Sequence, residues 1–254
     1  NNDSGGTGGS DSTSGNTLFG YLTGANIASG GVNNTLFGHA ASYNLTTGDN
    51  NISIGANAGW GNHTGGQNVY IGRDAGWGVQ NNANRSNVGV GQAALRGITT
   101  GTENVAVGKD AMLDNTGGAG NVAIGTEALA NNTSASENVA VGKLALFTNT
   151  TTGANTAVGY TALRYNVTSG NTAVGHAAML NNTTGGENVA MGVSAAYSNT
   201  TGMHNTAIGY GALITNVDGD ANTAIGRKAL FTFEADSDGH GENTAVGALS
   251  ALSL

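Results

Sequence analysis

The sequence predicts an all-β protein, a parallel β-solenoid (β-roll) of about fourteen 17-residue coils, on three observations. First, fourteen times the chain writes Asn, a β-branched residue, a variable residue, a large apolar residue and Gly. The Asn are Asn16, Asn34, Asn51, Asn68, Asn87, Asn104, Asn121, Asn138, Asn155, Asn171, Asn188, Asn205, Asn222 and Asn243. The usual step is 17 residues, with exceptions of 16, 18, 19 and 21, and self-similarity at a short fixed period marks a repeat architecture. Second, the motif alternates with a period of two, as a strand does. Third, the 44 Gly are phased to the repeat; in an irregular chain that content would suggest disorder, whereas here it punctuates structure.

Residues 1–15 (NNDSGGTGGSDSTSG) read as a Gly/Ser-rich linker or docking arm. Residues 16–254 carry the repeat without a break in composition and read as one domain. Taking the Asn as position one, positions two and four point the same way in a strand. Position two is β-branched in every copy, and position four is Phe, Ile, Val or Met, so positions two and four are read as the inward face. The invariant Gly at position five suits a corner with positive φ or a close approach of the next coil. The Ala-Leu or Ala-Met pair that follows reads as a second short strand or a turn on the return limb, and the Asn-Thr-Thr-Gly-like segments as turns. Fourteen Asn in register, about 4.8 Å apart, would form a hydrogen-bonded ladder along a rod of roughly 60 Å.

Position three lies opposite positions two and four. From Asn104 onward it is Ala in nine successive copies: Ala106, Ala123, Ala140, Ala157, Ala173, Ala190, Ala207, Ala224 and Ala245. Such a row is either packed under the return limb of its own coil or exposed and covered by another chain. The length of the stripe favours a self-association seam, with closed rotational symmetry as the usual outcome.

Charged residues are 9% of the chain and net charge is −8, which argues against nucleic acid and anionic membranes as partners. No apolar run is long enough for a spanning helix, so membrane insertion is not expected. There is no Cys and no initial Met; the latter fits a mature, processed product.

Asn104-Val105-Ala106-Val107-Gly108 and Asn121-Val122-Ala123-Ile124-Gly125 resemble the YadA-like head repeats of trimeric autotransporter adhesins. They also look like the Thr-Ala-Val-Gly repeats of bacterial surface and phage tail-fibre-like proteins. The resemblance covers residues 16–247, with repeats longer than those of the adhesin heads. It implies a left-handed coil, three chains about an axis, adhesion as the activity and the small residue of the motif at the seam.

Other candidates lie off the strand. Asn44, Asn62, Asn131, Asn149, Asn166, Asn181 and Asn199 head Asn-x-Ser/Thr sequons and are candidate glycosylation sites, or turn residues that happen to spell the motif. Asp236, Asp238 and Glu242 offer oxygen ligands for calcium in an acidic insertion too short for an EF-hand loop; no other cofactor is expected. Tyr43, Trp60 and Trp77 share position ten and are candidates for stacking on host or environmental glycans, or for packing. The five His show no metal spacing, and no catalytic constellation can be argued.

The function expected is that of a non-enzymatic, extracellular or cell-surface structural and adhesive protein. It would form a rigid rod whose main partner is itself, in lateral trimers, by end-to-end stacking into a fibre, or both. A glycan- or host-receptor-binding fibre segment is the second expectation. An ice-binding solenoid is the third, weakened because Thr at position two would share the core face.

Overall fold

The computed structural model describes residues 14–28, 30–79, 82–233 and 241–252. The protein is an all-β parallel solenoid with no helix among the described residues. It divides into two compact units, Asn1–Ser134 and Ala135–Leu254. Each holds seven three-residue strands, one per repeat, from Thr17–Phe19 to Val122–Ile124 in the first unit and from Val139–Val141 to Thr244–Val246 in the second. Within each unit successive strands pair in parallel and in exact repeat register, for example Thr206↔Thr223, Ala207↔Ala224 and Ile208↔Ile225. Residues 1–13 of the proposed linker lie outside the described residues.

The ladder of Asn is present and buried. Asn205 Oδ1 accepts from the backbone N–H of Asn222 at 2.9 Å and from its Nδ2 at 3.0 Å. Asn205 Nδ2 in turn donates to the Gly219 carbonyl at 2.8 Å. The amide oxygen thus satisfies two donors that a buried corner would otherwise orphan, and the amide nitrogen shares a turn carbonyl with Asn216 Nδ2, 3.0 Å away. A second ladder, not anticipated, runs at position twelve: Asn199 Nδ2 donates to Asn182 Oδ1 at 2.8 Å and to the Gly202 carbonyl at 2.9 Å.

The return limb is built of turns, not of a second strand. The Ala111 N–H donates to the Gly108 carbonyl at 3.4 Å, and the Asn115 N–H to the Met112 carbonyl at 3.3 Å. Three non-Gly residues in a typical coil take left-handed φ, as Glu103 (59°), Asp110 (56°) and Met112 (48°) do.

The direction of the strand faces is the reverse of the expectation. Ala106, Ala123, Ala140, Ala157, Ala173, Ala190, Ala207 and Ala224 are 0% exposed, and Ala245 is 5% exposed, within a single chain. They face the lumen of their own coil, so they are no seam between chains. A 17-residue coil leaves little room inside. Position three meets the equally buried Ala of position eight (Ala162, Ala212) and the Leu or Met of position nine (Leu163, Leu213). Positions two and four are consequently turned outward.

The first coils confirm this by size exchange. Leu18, Leu36 and Tyr70 at position three are matched by Gly24, Ser42 and Gly76 at position nine, whereas Ala106 and Ala123 are matched by Met112 and Leu129. A Cβ on Gly76 would lie 2.3 Å from the Tyr70 ring. Tyr70→Ala alone should open a cavity and cost about 3–5 kcal/mol; Gly76→Leu alone should overpack. Together they recreate the Ala/Leu combination of later coils, so urea titrations should find the double variant more stable than either single one. Additive losses would refute the exchange.

Candidate functional site

Parallel pairing in register aligns the outward side chains of successive coils into two ranks. Position two contributes Thr or Val with one Ile, and position four contributes Phe, Ile, Val and Met. Neither rank holds a charged residue. In the first unit Phe19 is 58% exposed and Phe37 52% exposed, and their rings stack with centroids 4.8 Å apart. Ile52, Ile54, Ile71 and Ile124 of the same unit are exposed, as are Met191, Ile225 and Val246 of the second. Isolated exposed apolar residues are ordinary, but contiguous ranks of them mark an interaction surface.

The face has charged edges. The residue after the invariant Gly is Arg73, Lys109, Lys143 or Arg227 in four coils, and the residue before the Asn is Glu103, Glu137, Glu187 or Glu242 in four. All eight are exposed. Lys109 Nζ lies 3.1 Å from an Asp110 carboxylate oxygen and Glu187 lies 3.5 Å from His204 Nε2.

The other candidates fare differently. Tyr43, Trp60 and Trp77 are brought together, half-buried on successive coils, with centroid separations of 6.2 and 5.2 Å and interplanar angles of 8°. The Arg96 guanidinium sits 5.7 Å from the Trp77 centroid. The ring faces that a sugar would need are largely spent on one another and on Arg96, so the column acts as cladding over the edge of the lumen. Of the sequon residues, Asn62, Asn149, Asn166 and Asn199 stand in the second ladder and Asn44 is also buried. The side-chain amides of Asn62, Asn149, Asn166 and Asn199 donate to carbonyl oxygens of the turns, and a glycan on the folded chain would have to break those bonds. Asn131 and Asn181 are half-buried. Asp236 and Asp238 lie outside the described residues, and Glu242 is an exposed edge residue whose N–H donates to the Asp220 carbonyl at 2.9 Å. No group of three or more metal-binding side chains occurs among the described residues.

Among the described residues Tyr70 is the one titratable group whose ionisation is clearly displaced. Burial pushes its phenol far above the ordinary range, with the Asn87 side chain acting weakly the other way. Its hydroxyl donates to Asn84 Oδ1 at 2.6 Å, so the buried phenol has a partner.

Sequence reasoning missed the outward ranks, though a signal existed. Position four varies in bulk from Val to Phe while position three is constant Ala in nine coils, and a confined lumen imposes constant volume where an open surface does not. Comparison with protein-family models, curated proteins and solved structures yields no match.

Proposed function

We propose that this chain is a non-enzymatic, extracellular structural and adhesive protein that self-associates through the outward ranks of positions two and four. The observation that carries the reading is the uncharged, largely apolar character of those ranks in both units. Burying them against a second copy would remove apolar surface from water at about 25 cal/mol per Å². The partner proposed from the sequence is retained, while the surface it uses is moved from the Ala row to the opposite side of the strand.

The pair Ile208→Lys and Ile225→Lys places two ammonium groups on this face without touching the lumen. Sedimentation velocity should show the wild-type chain associated at micromolar concentration and the double variant monomeric, with unchanged circular dichroism. A wild type that stays monomeric at every concentration tested removes the reading.

Ice binding stands as a second reading, because Thr156, Thr172, Thr206 and Thr223 are now placed on the outer face. The uneven bulk of position four, from Phe37 to Val174, suits an adaptable protein partner better than a regular lattice. Thermal hysteresis is the readout that would reverse that ranking.

A further inference from the structure

We propose that the charged edges of the outward face make copies of this chain associate parallel and in register, with the acidic edge of one copy against the basic edge of the next. The inference rests on the self-association reading and adds to it the orientation and the pairs that set it.

The two positions that bound the face each carry one sign, with Asp74 and Asp110 set beside Arg73 and Lys109 just beyond the basic one. The position after the invariant Gly holds four of the chain's eight Lys and Arg and no Asp or Glu among the fourteen coils. The position before the Asn holds four Glu and no Lys or Arg. Two coils carry both members: Glu103 and Lys109 flank Val105–Val107 in the first unit, and Glu137 and Lys143 flank Val139–Val141 in the second. Five residues lie between the members of each pair, three of them the extended strand, and no ion pair joins them within the coil. Lys143 is followed by Leu144 and has no acidic neighbour in sequence. Lys109 has Asp110 beside it, but both its exposure of 56% and that ion pair's place at the surface leave it free to exchange partners.

Symmetry decides what these edges meet. Copies facing one another can be related by rotation about the stacking direction of the coils or about the strand direction. Rotation about the stacking direction keeps the copies parallel and sets a basic edge against an acidic one at the same coil level. Rotation about the strand direction reverses one copy and sets like edge against like edge. Only the first pairs Glu137 with Lys143 and Glu103 with Lys109 without stagger, and like charges at a closing interface would oppose the second.

The test uses the full chain in three forms: E103K/E137K, K109E/K143E, and all four substitutions together. Each half-swap gives both edges one sign at the two coils that carry a complete pair and should weaken association about tenfold or more at low salt, with the loss shrinking as salt is added. The four-residue swap exchanges the edges and should return association to near the wild-type level. Half-swaps that associate as the wild type does would overturn the orientation and leave the face standing. A fourfold swap no better than the half-swaps would overturn it as well. A wild type that is itself monomeric would overturn the face and the orientation together. All four positions are exposed, and circular dichroism checks that each variant keeps the fold.

Discussion

Gly192→Ala should destabilise the second unit by on the order of 4 kcal/mol. Gly192 has φ of 140°, outside what L side chains adopt readily, and its new Cβ would lie 2.5 Å from the Gly209 carbonyl oxygen and 2.6 Å from the Gly209 carbonyl carbon. The obstruction is backbone on the next coil, which cannot yield without opening the Gly192–Val174 and Gly209–Met191 hydrogen bonds at 2.8 and 2.7 Å. Gly120→Ala is the control. Gly120 has φ of 65° and nothing within 4 Å of an added Cβ, and its place in other coils is taken by Asn33, Glu103 or Ala154 at similar φ. It should cost about 1 kcal/mol or less. Urea denaturation followed by circular dichroism gives both values, and equal losses would show that the close approach is not what holds Gly at position five.

Asn205→Ala should cost a similar amount for an electrostatic reason. It deprives two donors, the Asn222 N–H and Nδ2, of their acceptor, while the Gly219 carbonyl loses one donor at 2.8 Å and keeps the Asn216 Nδ2 at 3.0 Å. Each buried polar group left unpaired costs about 1–3 kcal/mol, so the sum is about 4 kcal/mol. Asn205→Asp separates hydrogen bonding from packing. A protonated Asp can accept from Asn222 and donate to Gly219, whereas a carboxylate can only accept and is buried. Burial raises its pKa above the unfolded value, so its contribution is full below about pH 4 and declines as pH rises. The Asp variant should therefore approach wild-type stability in acid and fall towards the Ala variant at neutral pH. A pH-independent deficit would show that the ladder's worth is steric.

Much of the fold was legible because the repeat imposes one local solution fourteen times. Parallel strands centred on the motif, the Asn ladder and the Gly corner each follow from a residue type that no other position could supply. The face assignment did not follow, because alternation says which residues share a side and is silent on which side is inside. Bulk normally decides that, and here it misled: Val107 and Ile124 are larger than Ala106 and Ala123, yet the small residues are the buried ones. The exchange of Tyr70 with Gly76 and of Ala106 with Met112 carried the answer, since only residues sharing one confined space need to trade volume. The ladder role of Asn149, Asn166 and Asn199 was hidden for another reason. Asn-x-Thr spells both a turn and a sequon, and only the folded coil shows that its amide is already engaged.

The left-handed residues have a consequence for how the molecule comes into being. Glu103, Asp110 and Met112 occupy conformations that each cost an L-residue about 1–2 kcal/mol, and a lone coil has nothing to offset that. The bonds that do so run between coils, as from the Val105 N–H to the Asn121 carbonyl at 2.8 Å. A coil is thus stable only once it lies on an existing one, much as a layer adds to a crystal step. Folding in each unit should begin with a slow first pair of coils and then advance as a front, every finished edge templating the next turn of chain.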